Sequence, residues 1–284
     1  MIRFVPFLLN LILIPLDSKD FESVGRDLFV MQANTRITPQ VSESLGAVSA
    51  ENAYRIQKGY VSHKLSVTGA LVSGYKAGLT SRGGQAKFGV DGPLAGVLFN
   101  QGRVSSHPAP DNSKSGFRLN LNDYTKMMLE TELAFVCSRP IRTRVESPHT
   151  LKGYFLKVAP AIEVPELGFE NLKTLNGSDI IAANVAVKQF MLGPSVNVHS
   201  ADLNLLEVSL WHGSEKVNHG KGNDASDNQW EALHFLVNKT LDSGYEIQPG
   251  QVLLTGALGK MVPARRGSYT ADFGPLAKIH FEVE

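Results

Sequence analysis

The sequence predicts an α+β fold in which an N-terminal helical segment precedes a large, mixed β domain. Residues 20–66 carry apolar side chains at spacings of three to four, the period of one face of an α-helix. From Ala70 onward, short apolar runs alternate with Gly, Pro, Asn and Asp, as strands and turns do. We therefore expect a helical segment over residues 17–69 and a mixed β domain over residues 70–284.

Each predicted element has its own local signal. The first helix pattern is FESVGRDLFVMQANTR, and the second, SAENAYRIQKGYVSHKL, begins at Ser49, a suitable N-cap. Two later helices are predicted over DIIAANVAVKQFML and NQWEALHFLVNKTLDSG, of which the second ends near Gly244. Four further segments have strand patterns: KGYFLKVAPAIEV, NLLEVSLWHGSEKVNHGKG with a hairpin turn inside it, QVLLTGAL and LAKIHFEVE.

Residues 1–16 form an apolar leader that we leave out of the fold prediction. Arg3 precedes an apolar stretch from Phe4 to Leu16, which is too short for a membrane-spanning helix but has the length of a signal-peptide core. Asn10 and two prolines interrupt this stretch, and no small-x-small cleavage site follows it. Two interpretations stay open, a signal peptide and an uncleaved apolar leader.

The bulk composition excludes several classes of partner and site. The chain has 284 residues, of which 43% are hydrophobic and 19% are charged, an ordinary globular composition. Its net charge of +1 gives no field that favours nucleic acid or anionic lipid, so neither is an expected partner. With one cysteine, Cys137, the chain has no internal disulfide and no multi-cysteine zinc site.

The strand pattern MMLETELAFV places two like charges on one face. Because side chains alternate along a strand, Glu130 and Glu132 share a face, and the opposite face is almost entirely apolar. If the glutamate face meets bulk water, water solvates the two carboxylates and no counter-charge is needed. If it meets a cavity, the two carboxylates require a counter-charge, and a divalent cation that prefers oxygen ligands supplies one. The apolar face comprises Met127, Leu129, Thr131, Leu133 and Phe135.

A third oxygen ligand is available at the end of another apolar run. Glu163 closes the segment VAPAIEV, and Glu166 and Glu170 are nearby competitors on its Pro- and Gly-containing side. A site for Mg²⁺ or Mn²⁺ would combine such a carboxylate with the strand pair and leave positions for water or substrate.

Five separated motifs resemble one family of enzymes. GYKAGLTS, FGVDGP, LETELAFV, PAIEV and LLTGALGKMVPA occur in this order over residues 20–284. Together they resemble the 2-keto-4-pentenoate (2-hydroxypentadienoate) hydratases and 4-oxalocrotonate decarboxylases of the fumarylacetoacetate-hydrolase superfamily. The resemblance implies a mixed β-sandwich or roll with flanking helices, and Mg²⁺ or Mn²⁺ held by Glu130, Glu132 and Glu163. It also implies a small 2-oxo acid substrate and a homo-oligomer, in the cytoplasm unless the leader directs export.

The activity implied by the resemblance is that of a hydro-lyase. It would add water to a 2-oxopent-4-enoate-like (2-hydroxydienoate) acid, and the segment TGALGKMVPA is more similar to the hydratases than to the decarboxylases. The first alternative is a decarboxylase of a 4-oxalocrotonate-like 2-oxo acid. The second is a catalytically weak, metal-dependent protein that binds small oxo acids.

Lys76 and the pair Thr255–Gly256 are the substrate-binding candidates. Glycines at 74 and 78 flank Lys76, which fits either close approach of a ligand or a lysine on an edge strand. The resemblance implies a functional lysine here, one that binds the substrate carboxylate. Thr255 precedes a glycine at a strand end, where its hydroxyl or nearby amides would hold a carboxylate, or where the strand simply turns.

The chain departs from the family pattern at two places. The pattern D-x-P-D that follows the lysine motif is here Asp91-Gly92-Pro93-Leu94, so its second acid is absent. Asp91 is retained as a catalytic candidate, although a turn residue would look the same. The segment N-A-S-S is here Asn184-Val185-Ala186-Val187, without a serine hydroxyl. We therefore expect intact metal binding, altered proton transfer and a slow hydratase.

Overall fold

The structure is a computed structural model that describes residues 20–106 and 116–284. The predicted leader over residues 1–16 lies outside the described residues. Seven α-helices occur in the described part of the chain. They are α1 (Phe21–Thr35), α2 (Val41–Leu45), α3 (Ala50–Thr68), α4 (Arg82–Phe88), α5 (Pro148–Leu151), α6 (Gly177–Ala182) and α7 (Gln229–Asp242).

Thirteen strands follow the first three helices within the described residues. In chain order they are β1 (Val72–Gly78), β2 (Leu94–Phe99), β3 (Phe117–Leu119), β4 (Met128–Cys137), β5 (Phe155–Val164), β6 (Gln189–Leu192), β7 (Val196–Asn197), β8 (Glu207–His212), β9 (Glu215–Lys221), β10 (Val252–Leu254), β11 (Val262–Pro263), β12 (Gly267–Asp272) and β13 (Lys278–Val283). The switch from helices to strands near residue 70 follows the change in sequence pattern.

The strands form two mixed sheets. The larger has eight strands in the order β2-β1-β10-β4-β5-β6, with β11 paired to β4 and β7 paired to β5. The smaller has five strands in the order β3-β13-β12-β8-β9. Within the larger sheet β1 runs parallel to β10, whereas the pairs β10–β4, β4–β5 and β5–β6 are antiparallel. This order places the strand with the two glutamates in the interior of the larger sheet.

The main apolar core draws on both predicted segments. Ile56 of α3 and Leu236 of α7 are fully buried in the same cluster as Leu133 and Phe135 of β4. The ring of Phe135 also packs edge-on against Trp230 of α7, with ring centroids 5.3 Å apart. The face of β4 that the alternation predicts to be apolar therefore lies in the core, as expected.

Two local predictions are confirmed in detail, namely the N-cap of α3 and the hairpin in the second predicted strand segment. The hydroxyl of Ser49 accepts a hydrogen bond from the Asn52 amide and caps α3. Strands β8 and β9 form the predicted hairpin. Cys137 is buried, which fits a packed thiol. No helix among the described residues is long and apolar enough to cross a membrane.

The predicted helix DIIAANVAVKQFML is wrong beyond its first turns. Helix α6 ends at Ala182, and a short 3₁₀ turn over Asn184–Ala186 follows it. All three residues of that turn have positive φ angles, which a right-handed helix does not allow. Two residues further on, Gln189–Leu192 form β6, which pairs with β5. Sheet pairing thus overrides a helical period in a segment rich in β-branched side chains.

Candidate metal centre and active site

Three glutamates converge on one point of the larger sheet. Glu130 of β4 lies directly opposite Glu163 of β5 in the antiparallel register, and Glu132 lies two residues further along β4. One carboxylate oxygen from each lies within 4.8 Å of the other two. Glu132 and Glu163 are fully buried, and Glu130 is partly exposed. The sequence left open whether this face of β4 meets water or a cavity. The burial of these carboxylates shows that it faces the protein interior and a cavity.

Lys76 supplies positive charge to this cluster from a strand in the sheet interior. Strand β1 lies between β2 and β10, so the edge-strand interpretation of Lys76 is wrong. The side chain is 4% exposed, and its Nζ lies 2.8 Å from Oε2 of Glu163. A lysine is seldom buried without a partner, so this contact explains how its charge is tolerated there.

Gly256 fixes the orientation of the second glutamate. Its amide donates a hydrogen bond to Oε2 of Glu132 at 2.8 Å. Only glycine fits this position, for two reasons. Its φ is +107°, and a Cβ would stand 2.4 Å from the side chain of Thr80. The predicted role of Gly256 in substrate binding stays a prediction, because the structure shows its amide in use for Glu132.

The hydroxyl of Thr255 faces the protein interior. The residue is fully buried, and Oγ1 lies 2.6 Å from Oε1 of Gln229 and 3.2 Å from the Leu133 carbonyl oxygen. These contacts anchor the end of β10 to α7 and β4. They give Thr255 a part in positioning Gly256, and its predicted contact with substrate stays a prediction without support from its placement.

Burial and mutual repulsion control the ionisation of the cluster. Burial raises the pKa of Glu130 to about 7, with Lys76 acting in the opposite direction. Burial, reinforced by the charges of Glu163 and Glu130, raises the pKa of Glu132 well above its usual value. Burial alone would lower the pKa of Lys76, but the neighbouring carboxylates outweigh it and raise that pKa. The metal-free cluster therefore holds protons that an arriving cation must displace.

We expect metal affinity to rise with pH at least up to about 7. The pKa of Glu130 is raised from 4.5 to about 7 in the folded chain, so the folded protein binds more protons than the unfolded chain between these values. The stability of the metal-free protein should consequently fall as pH rises through this window. Apparent affinity for Mn²⁺ should rise by about tenfold per pH unit for each proton displaced. Calorimetric titrations at several pH values measure the affinity, and urea unfolding at the same pH values measures the stability. A pH-independent affinity would contradict the assignment.

Two cavities open onto the glutamate cluster. The smaller, of about 300 Å³, is lined by Lys76 and Glu130 and otherwise mostly by apolar side chains. The larger, of about 960 Å³, is lined mostly by polar and charged residues, among them Glu130, His219 and Ser226. Glu130, Gly78 and Leu79 border both cavities, so the cluster lies where they meet.

Several residues that line these cavities have no clear sequence signal. Val185 and Ala186 belong to the segment predicted as helix, so their position in the wall of the smaller cavity was missed. Ser226 has a φ of 53° and a buried Oγ without a hydrogen-bond partner among the described residues. The run GNDASDN around Ser226 is rich in turn-forming residues, a pattern that does not reveal its contact with the larger cavity.

Asp91 and Leu94 lie away from the cavity linings. Asp91 is exposed in a bend before β2, and its predicted catalytic role stays a prediction that its placement does not support. Leu94 pairs with Gly78 and so stands on the same face of the sheet as Lys76, but it is 3% exposed and packs in the main core. An acid at this position would be surrounded by apolar side chains.

We therefore expect Leu94→Asp to destabilise the protein without increasing turnover. A carboxylate buried without a partner costs several kcal/mol or is forced to take up a proton, so the free energy of unfolding should fall by at least about 3 kcal/mol. Urea unfolding measures this loss. Leu94→Met is the control, since a swap of similar volume costs less than about 1.5 kcal/mol. A stable Leu94→Asp variant with higher kcat would restore the expectation that an acid here takes part in proton transfer.

Sequence comparison supports the resemblance read from the motifs. No family model matches the chain. The 2-keto-4-pentenoate hydratase of Paraburkholderia phymatum is 27% identical over 267 residues, which cover 93% of this chain and 97% of the relative. The resemblance to the hydratases therefore extends over nearly the whole length of both proteins.

Two solved structures show the same type of fold. The 4-oxalocrotonate decarboxylase from Pseudomonas putida G7, complexed with magnesium and adipate, superposes with a TM-score of 0.83 and 21% identity, over 93% of this chain and 97% of that one. The fumarylpyruvate hydrolase from Pseudomonas aeruginosa, in complex with Mn²⁺ and pyruvate, superposes with a TM-score of 0.54 and 13% identity, over 74% of this chain and 88% of that one. The predicted α+β fold of the fumarylacetoacetate-hydrolase type is confirmed.

Proposed function

We propose that this protein is a metal-dependent hydro-lyase that adds water to a 2-oxopent-4-enoate-like acid. The observation that carries the proposal is the buried cluster of Glu130, Glu132 and Glu163, paired with Lys76 and open to a cavity. The similarity to a 2-keto-4-pentenoate hydratase over 93% of the chain supports the reaction and the substrate class.

The cluster fits a divalent cation bound by oxygen. Oε1 of Glu132 and Oε1 of Glu163 are buried and have no hydrogen-bond partner among the described residues. Buried carboxylate oxygens without partners are costly, and Mg²⁺ or Mn²⁺ prefers such ligands. The three glutamates would hold the ion, and when bound it would polarise the substrate's 1-carboxylate and 2-oxygen and favour the enolate form.

The reaction itself needs two proton transfers and one water. The 2-hydroxydienoate loses the proton of its 2-hydroxyl and gains one at C5, which gives a 2-oxo-3-enoate. Water then adds its oxygen to C4 and a proton to C3, so that the product is a 4-hydroxy-2-oxo acid. No covalent enzyme intermediate is required, in keeping with the buried Cys137.

Lys76 would orient the substrate by binding its carboxylate. Its ammonium lines the smaller cavity and carries a charge that its carboxylate neighbours stabilise. A fixed cation in a buried site binds an anion more strongly than an exposed one, because little water competes with it. The same contact would hold the reacting carbons beside the cluster.

Two alternatives use the same site. Decarboxylation of a 4-oxalocrotonate-like acid also passes through an enolate, and the likeness to a decarboxylase structure extends over 93% of the chain. A weak oxo-acid-binding protein would explain why the smaller cavity lacks a second acid: among the described residues that line it, the titratable ones are Lys76, Lys87, Lys126 and Glu130. The segment TGALGKMVPA favours the hydratase over the decarboxylase.

One assay separates the three functions. Purified protein with Mg²⁺ or Mn²⁺ is incubated with 2-hydroxypenta-2,4-dienoate and, separately, with 4-oxalocrotonate, and the products are followed by NMR. We expect a 4-hydroxy-2-oxo acid from the first substrate. Release of CO₂ from the second substrate, without hydration of the first, would establish a decarboxylase. Binding of both without turnover would establish an oxo-acid-binding protein.

We further propose that the chain forms a homo-oligomer, as the resemblance implies. Apolar side chains exposed at two places support this, namely Val30 and Met31 of α1 and Val67 and Leu71 around the end of α3. An exposed apolar patch is typical of a subunit contact, and these side chains would contribute to one. Light scattering coupled to size exclusion measures the mass, and a monomer at micromolar concentration would contradict the proposal.

A further inference from the structure

We infer that the smaller cavity selects 2-oxo monoacids whose chain beyond C5 is a hydrocarbon, and that it discriminates against a second carboxylate there. This inference rests on the proposed function, since it places the oxo-acid end of the ligand at Lys76 and the glutamates. It goes beyond that function by assigning the chemistry of the ligand's distal part.

The buried wall of the cavity is apolar on every side away from the glutamates. Residues from β4, the loop after β5, α6 and the left-handed turn contribute to it. The charged side chains in the lining, besides Lys76 and Glu130, are Lys87 and Lys126, which are both exposed. The buried apolar members are Met128, Leu175, Ile180, Val185 and Ala186.

The left-handed turn is held in a strained conformation that brings Val185 into this wall. The φ angles of Asn184, Val185 and Ala186 are 53°, 53° and 57°, and a β-branched residue rarely adopts such a value. The side chain of Asn184 stabilises the turn, because it accepts from the Val97 amide at 2.8 Å and donates to the Val97 carbonyl at 2.9 Å. Backbone strain that the surroundings enforce is characteristic of binding sites.

Glycine at position 78 allows the turn to come this close to the lysine strand. A Cβ on Gly78 would stand 2.6 Å from Cγ1 of Val185, and this γ-carbon belongs to a stiff side chain that has little room to move. Lys76 lies two residues before Gly78 on the same strand. The apolar wall therefore begins directly beside the cation that would bind the ligand's carboxylate.

The size and polarity of the cavity determine what it can hold. A volume of about 300 Å³ is at the lower end of those that enclose drug-sized ligands, so a five-carbon acid leaves part of it unfilled. Each methylene placed against the wall should improve affinity about fourfold. A distal carboxylate would lose its hydration among apolar side chains, and the exposed Lys87 and Lys126 would compensate for little of that loss.

Binding of three stable 2-oxo acids tests the inference without turnover. Calorimetry on the Mn²⁺-loaded protein compares 2-oxopentanoate, 2-oxooctanoate and 2-oxoheptanedioate, of which the last two have similar length. We expect 2-oxooctanoate to bind at least tenfold more tightly than either of the others. Equal affinities, or tighter binding of the dioate, would overturn the inference. Failure of hydration in the NMR assay would refute the proposed function and leave this affinity order intact.

Two variants locate the preference in the wall. Met128→Gln keeps the length of the side chain and makes it polar, and Ile180→Thr replaces the ethyl branch of the side chain with a hydroxyl. Each should lower the ratio of octanoate to pentanoate affinity by about tenfold, more than the loss of one methylene. Leu205→Ser is the control, since Leu205 is 75% exposed and lines neither cavity. An unchanged ratio in both folded wall variants would overturn the assignment of this wall.

Discussion

The variant Glu132→Gln is expected to lose Mn²⁺ or Mg²⁺ binding and all measurable turnover. Its amide can still accept the Gly256 hydrogen bond through its oxygen, so the loop stays in place while one ligand charge disappears. Loss of an outer-shell partner already costs roughly 10–100-fold in metal affinity, and removal of a direct ligand should cost more. Calorimetric titration with Mn²⁺ measures the affinity, and a steady-state assay with 2-hydroxypenta-2,4-dienoate measures the turnover.

The stability of this variant distinguishes a metal ligand from a structural acid. The neutral side chain removes repulsion from Glu130 and Glu163, so the metal-free variant should be as stable as the wild type or more stable. Alanine is a poorer choice, because it would leave the buried Gly256 amide unpaired at a cost of about 1–3 kcal/mol. Glu170→Gln, on an exposed neighbour of the third ligand, is the matched control. Unchanged metal affinity in Glu132→Gln would refute the site.

The variant Lys76→Met is expected to reduce kcat/KM by at least about 100-fold and to weaken oxo-acid binding. Methionine keeps most of the apolar stem and removes the charge, so the substrate carboxylate loses its cation in a buried site. From the sequence alone, Lys76 has no visible structural role, and its substitution by methionine is predicted to leave the melting temperature within a few degrees. The structure corrects this, because the ammonium lies 2.8 Å from the buried carboxylate of Glu163.

The metal dependence of stability separates the two roles of Lys76. Breaking a buried ion pair typically costs about 3–5 kcal/mol, although here the remaining carboxylates can take up protons and reduce the loss. A bound divalent cation would also restore positive charge beside Glu163. The melting temperature of Lys76→Met should therefore fall more without metal than with it, whereas the exposed control Lys173→Met should be unaffected. A loss independent of metal, together with normal kinetics, would make Lys76 a purely structural residue.

The sequence by itself determined the parts of the site that lie on regular strands. Alternation along β4 placed Glu130 and Glu132 on one face, since a strand leaves no other arrangement. The end of an apolar run provided Glu163, and the five motifs added the family resemblance. The core face of β4 followed from the same alternation, and each of its members is buried.

Only the tertiary structure decided what surrounds those residues. Local spacing cannot say whether a polar face meets water or a cavity, because that depends on elements distant in the chain. The same holds for Lys76: its spacing left an edge strand open as one of two interpretations, and the strand lies between β2 and β10.

The turn over Asn184–Ala186 shows most clearly where local sequence patterns fail to predict the structure. Its residues have a helical period, yet pairing of β6 with β5 and two hydrogen bonds to Val97 hold them in left-handed conformations. The surroundings of Leu94 also depend on tertiary packing. Its strand register places it on the same face of the sheet as Lys76, but its side chain packs in the main core. Long-range pairing and packing outweigh local preference at such positions, because a strained residue costs only a few kcal/mol and the surrounding sheet and core contribute more.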